Sequence, residues 1–191
     1  MHARRLARSG ALASAAALAA TLLVAALAPS SAEAKLVAPH SKCAGQQNAK
    51  APGAKQERAL RCLIEYARRH AASGKLRPKS SLERAAGRKA SDVMDCGLSH
   101  TACGKPADLY PKRYGYTSGA SSWQWGENLA WGKRRKGTAR QVLKAWLGSP
   151  PHRAAMLDRS FEHLGIGLRR GSFSGSRRAA VWALELGCRG C

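Results

Sequence analysis

Acidic side chains are scarce in this chain: 11 Asp and Glu stand against 33 Lys and Arg, a formal net charge of +22 over 191 residues. A surplus of that size turns attention to anionic partners such as cell-wall polymers, lipid headgroups or nucleic acid. It also keeps a solvated surface soluble by repulsion. No helix-turn-helix, zinc-finger or aromatic RNA-binding pattern accompanies the charge, which argues against nucleic acid. Nor is there an internal repeat, so solenoids and propellers are excluded and a single domain is expected. Long apolar runs are missing beyond residue 28, and no later segment could span a bilayer.

The one apolar run, Ala11 to Ala28, follows Arg4, Arg5 and Arg8 and precedes Ala32-Glu33-Ala34, an A-x-A cleavage pattern. Residues 1–34 therefore read as a secretory signal peptide, and the protein as secreted or associated with the cell envelope. Its removal leaves 30 basic residues against 10 acidic. Residues 35–55 are small, polar and without periodicity, which predicts a flexible N-terminal arm ahead of a domain over 56–191.

Within that domain, Leu60, Leu63, Ile64, Ala67 and Ala71 fall at helical spacing and predict a first helix over about 56–72. Ser80 with Glu83 reads as a capping box opening a second helix to about Asp95, whose apolar side carries Leu82, Ala85, Ala86, Ala90, Val93 and Met94. Asp108 to Tyr116 suggests a short irregular helix and a turn. Trp123 to Trp131 alternates as a strand, placing Trp125, Glu127, Leu129 and Trp131 on one face. A carboxylate among indoles is costly unless something pairs with it, and an edge strand on which Glu127 reaches water is the plainer reading.

A basic loop, Gly132 to Gly137, leads to Thr138 and Gln141, a second capping box for a helix carrying Val142, Leu143 and Trp146. Ser149 and Pro150 then read as N-cap and first position of a short helix with His152 in its first turn, where the helix dipole favours a neutral ring. Leu164, Ile166 and Leu168 alternate with Gly165 and Gly167, which predicts a strand with one stripped face open to close approach. Ala179 to Leu186 closes the chain as a strand.

These motifs together, GENLAWG, a tryptophan-bearing helix, SPPHRAAML, FEHLGIGL and VWALELG, resemble the bacterial branch of the CAP superfamily, the cysteine-rich secretory, antigen-5 and pathogenesis-related proteins with their SCP domain. Pattern alone supports an α+β domain. The resemblance sharpens it to a three-layer α-β-α sandwich with a small antiparallel sheet and a cleft lined by His100, Glu127 and His152. Members that carry a second cleft acid keep it just after the tryptophan, and here Trp146 is followed by Leu147, Gly148 and Ser149.

The resemblance implies a non-enzymatic binding protein whose cleft takes a divalent metal, a small amphipathic ligand or an anionic envelope component. The alternatives are a metal-dependent hydrolase with His100 and His152 as ligands and Glu127 as general base, and a structural protein that adheres through charge. Two imidazoles and one carboxylate suit Zn²⁺ better than Ca²⁺ or Mg²⁺, which prefer all-oxygen shells.

Six cysteines, Cys43, Cys62, Cys96, Cys103, Cys188 and Cys191, lie after the signal segment and read as disulfides. Short loop closures favour Cys43 with Cys62, Cys96 with Cys103 and Cys188 with Cys191. The rival is a zinc site built from Cys96, His100, Cys103 and the CRGC end. The secreted protein is expected to start near Lys35 and to show no reactive thiol without reductant. Labelling of four or more cysteines in the native protein would instead support zinc thiolates.

Overall fold

The computed structural model describes residues 35–191, so the signal segment lies outside the described residues. Five α-helices lie wholly among the described residues: α1 (Gly53–His70), α2 (Ser80–Cys96), α3 (Leu109–Arg113), α4 (Ala139–Leu147) and α5 (Pro150–Leu157). Four strands, β1 (Arg77–Pro78), β2 (Trp123–Lys133), β3 (His163–Phe173) and β4 (Ser176–Arg189), form one sheet in the order β1-β3-β4-β2. Its long strands are antiparallel, and the two-residue β1 runs parallel to its neighbour β3.

The three-layer sandwich follows from which faces are apolar. Strand β4 is central and buried on both sides, so it reads as a nearly continuous apolar run. Trp182, Leu184 and Leu186 point into a core shared with Leu60, Leu63 and Ile64 of α1 and Val142, Leu143 and Trp146 of α4. Val181 and Ala183 point the other way, with Leu129, onto Ala86, Ala90 and Val93 of α2.

The two glycines of β3 decide how closely α2 can lie. A Cβ on Gly165 would overlap the backbone of Leu82 and Glu83, and one on Gly167 the backbone of Ala86 and Gly87. The stripped strand face is thus filled by helix backbone, as its sequence predicts.

Several local expectations change under tertiary contact. Residues 35–55 do not form a flexible arm: Leu36, Ala38, Cys43 and Ala51 are buried, and the segment is bridged to α1 by Cys43–Cys62. Arg140 Nη1 donates to Ala38 O and to Gln46 Oε1, both at 2.6 Å. Sequence periodicity missed this because turns and single polar contacts, not an amphipathic face, hold the segment. Ser80 begins α2 rather than capping it, with Lys79 at the N-cap, and Glu83 pairs with Arg61 at 2.9 Å. Thr138 does stand at the N-cap of α4, but its hydroxyl donates back to Arg135 O. The free N–H of Ala139 is capped instead by Oε1 of buried Gln56, 83 residues earlier, at 2.9 Å.

All three short-closure disulfides are present, Cys43–Cys62, Cys96–Cys103 and Cys188–Cys191, which removes the thiolate zinc site. No described helix is long and apolar enough to cross a membrane. Gly167→Ala should lower stability by about 3 kcal/mol, because a buried methyl must push α2 off the sheet. Urea denaturation measures this, and a loss within about 0.5 kcal/mol would mean that the helix-to-sheet spacing is not fixed here.

Candidate functional site

Strand β2 is an edge strand, yet Glu127 does not reach water. Its side chain is 1% exposed, covered by the loop that follows α2. That loop is fixed at several points. Cys96–Cys103 closes it, and Asp92 on α2 accepts from Tyr110 Oη at 2.5 Å and Lys105 Nζ at 2.8 Å. Lys89, itself 1% exposed, donates from Nζ to His100 O at 2.6 Å. The His100 ring then lies over the strand with Nδ1 at 2.6 Å from Glu127 Oε1, and its side chain remains 55% exposed.

His152 approaches from the opposite layer. Alternation along β2 sends Asn128 to the other face, where its Nδ2 donates to His152 O at 2.8 Å. The ring Nδ1 lies 2.8 Å from Ser149 Oγ, so the N-cap serine serves the histidine rather than the helix N–H groups. His152 is held below the ordinary histidine range by burial and then by the nearby charge of His100. The two histidines thus meet β2 from its two faces, His100 through Glu127 and His152 through Asn128. Sequence assigned the neutrality to the helix dipole, whereas burial and a second histidine cause it. His40, His70 and His163 lie elsewhere: Nδ1 of His163, for example, pairs with Tyr116 Oη at 3.0 Å.

The acid missing after Trp146 is matched by one that sequence reasoning passed over. Glu185 on β4 stands directly opposite Glu127 in the strand register and is fully buried. Trp125 Nε1 donates to Glu185 Oε2 at 2.5 Å, and Lys89 Nζ lies 3.4 Å from Glu127 Oε2 without an aligned hydrogen bond. One buried oxygen of each carboxyl has no hydrogen-bond partner, Glu127 Oε2 and Glu185 Oε1. A single proton shared between the carboxyls satisfies both, since two adjacent carboxylates with one lysine cannot both stay ionised in a dry site. Burial raises Glu185 well above the carboxylate range and Glu127 adds to it; burial also raises Glu127, against the pull of Lys89 and His100. Glu185 thus lies behind Glu127, where burial and the neighbouring carboxyl disfavour its ionisation, and not in the position of a second cleft acid.

Two signals for these residues were in the sequence. Glu185 is the lone charge in the apolar run AAVWALEL, and Lys89 falls on the apolar stripe of α2, three residues after Ala86 and four before Val93.

The cysteine-rich secretory protein family model, CAP, matches residues 63–184, more than half of the chain. The chain belongs to the CAP family. Its fold is similar to an extracellular protein containing a SCP domain from Bacillus anthracis, at 18% identity and TM-score 0.56 over 70% of this chain and 40% of that one. It is also similar to an outer surface protein of Borrelia burgdorferi, at 21% identity and TM-score 0.56 over 68% of this chain and 90% of that one. This CAP chain thus spans about two fifths of the Bacillus protein's length, and identities this low speak for the fold alone. No curated protein matches the chain by sequence.

The shared proton has a pH consequence. A carboxyl whose folded-state pKa is raised adds stability that is full below the ordinary carboxyl range and lost as pH climbs through the raised value. His152, lowered, acts in the opposite sense, losing its contribution as pH falls below about 6.5. Glu185→Gln keeps a donor toward Glu127 without needing a proton. It should melt roughly 2–4 °C above wild type at pH 8 and no higher at pH 4.5. A variant that melts lower than wild type at pH 8 would show that Glu185 is ionised.

Proposed function

We propose that this CAP protein is secreted and acts as a non-enzymatic binder of a divalent transition metal, with Zn²⁺ the ion its cleft suits best. The observation that carries this reading is the disposition of the ring nitrogens. Nδ1 of His100 is held by a buried carboxylate and Nδ1 of His152 by a serine hydroxyl. With Glu127 ionised, Nδ1 of His100 donates and Nε2 keeps its lone pair. Metal-binding histidines depend on such a partner on the second nitrogen, which fixes tautomer and orientation and raises basicity.

The donor set fits an open site with two nitrogen ligands rather than a closed cage. Among the described residues, no three His, Cys, Asp or Glu groups converge as a metal cluster. Glu127 belongs behind His100 as its orienting partner. Its buried carboxylate is turned to His100 and Lys89, which leaves no face on which to activate a water, and this disfavours the hydrolase reading. When bound, a zinc ion would supply a Lewis-acid centre with open positions for an anionic or neutral oxygen ligand. Extracellular location is supported by the disulfides and by similarity to extracellular and surface proteins.

Calorimetry with zinc chloride should show one saturable site whose affinity rises from pH 5 to 7.5, because protons compete with a metal ion for ring nitrogens. Saturable binding should vanish in His100→Ala/His152→Ala, and affinity should fall about 10–100-fold in Glu127→Gln. Equal affinity in wild type and the double variant would overturn the site. Retained affinity in Glu127→Gln would mean that the carboxylate does not support the ligand.

A further inference from the structure

The opposite end of the sheet carries a second feature, about 20 Å from Glu127 along β2. Two adjoining cavities, of about 560 and 700 Å³, share Arg134, Arg177 and Arg178 as common wall. Arg135, Arg170 and Lys50 complete the first, and Lys133 and Trp131 the second. All seven cationic side chains are exposed, none forms an ion pair among the described residues, and no Asp or Glu lines either cavity. Glu57, which feels the charge of Arg170, is turned away to accept from Leu168 N–H at 3.0 Å.

The groove is built rather than incidental. The loop Arg134–Gly137 lies so close to the sheet that a Cβ on Gly132 or Gly137 would overlap the facing backbone, and Trp182 Nε1 anchors Gly137 O at 3.0 Å. Arg134 (φ 51°) and Ser174 (φ 45°), on opposite walls, sit in the left-handed region that non-glycine residues rarely adopt. Arg170 is fixed by donating to Ala51 O at 2.7 Å, so the ordered N-terminal segment supports the cationic wall.

Trp131 adds a different chemistry. It packs edge-to-face on Phe173, with centroids 5.2 Å apart, and its remaining surface opens into the second cavity. An aromatic face beside arginines suits a sugar or polyol unit bearing a phosphate. A lipid surface is a poorer fit: the one exposed large hydrophobic among the described residues is Leu98, beside the His100 loop, so the groove has no apolar wedge to insert.

We propose that this groove binds an anionic envelope glycopolymer, a chain of sugar or polyol units joined by phosphodiesters, with Arg134, Arg177 and Arg178 on its phosphates and Trp131 against a ring. The site is independent of the histidine cleft. It turns the diffuse charge of the protein into a localised attachment about 20 Å along β2 from Glu127.

Titration of the purified protein with poly(ribitol phosphate) carrying N-acetylglucosamine tests this. Arg134→Gln/Arg177→Gln/Arg178→Gln should weaken binding at least about tenfold at physiological salt and flatten the log K against log salt slope by about two. A charge-matched control at exposed positions, Lys75→Gln/Arg113→Gln/Arg159→Gln, should change both by less than about twofold. Equal losses in the two triple variants would reduce the effect to net charge and overturn the site. So would phosphatidylglycerol vesicles or duplex DNA binding more tightly than the polymer and displacing it, which would assign the groove to a lipid surface or to nucleic acid. Because His100→Ala/His152→Ala leaves the groove intact, it should bind the polymer as wild type does, whatever its zinc affinity. Loss of polymer binding in that variant would place the polymer in the cleft.

Discussion

The pairing of Glu127 with Glu185 across β2 and β4, with Lys89 beside them, is the contact on which the front of the molecule depends. Buried charge is tolerable only when matched, and here one lysine and one shared proton balance two carboxyls. The matched cluster then serves as a fixed point. Lys89 holds the carbonyl of His100 while Glu127 holds its ring, so a loop between two elements gains a defined histidine.

Central strand β4 makes this possible. Being covered on both faces, it sets the spacing of the α2 layer on one side and of the α1 and α4 layer on the other. The glycines of β3 let α2 lie against the sheet, which brings Lys89 within reach of the edge strand. His152 arrives from the other layer, tethered through Asn128. The exposed edge of β2 is therefore where the two layers meet, and each layer brings one histidine to it. At the far end of the same strand, the tight loop after β2 and the hairpin between β3 and β4 gather the arginines. One rigid sheet thus carries two chemically unlike surfaces at its two ends.

Much of this was legible in the chain. Helical spacing located α1, α2 and α4, and two-residue alternation located the long strands, because one face of each must be apolar to pack. The stripped face of Gly165 and Gly167 announced a close neighbour, and six cysteines after a signal-like segment announced bridges. His100, Glu127 and His152 stood out through family motifs rather than through periodicity. The ordered segment 35–55 was not legible, since Gln56 and Arg140 hold it by hydrogen bonds to backbone that leave no pattern in residue type.

By itself the sequence determined the α+β fold class and the excess of positive charge and favoured the disulfide pairing by short closures, because each follows from local spacing or composition. Only the tertiary structure decided what those charges face. Register across β2 and β4 set Glu185 against Glu127, helix docking aimed Lys89 at them, and the folding-back of a loop and a hairpin made one groove from arginines up to 44 residues apart in the chain, Arg134 and Arg178. Burial and pairing are properties of neighbours in space. A lone acid in an apolar strand and a lone lysine on an apolar helix stripe each signal a partner, but packing alone names it.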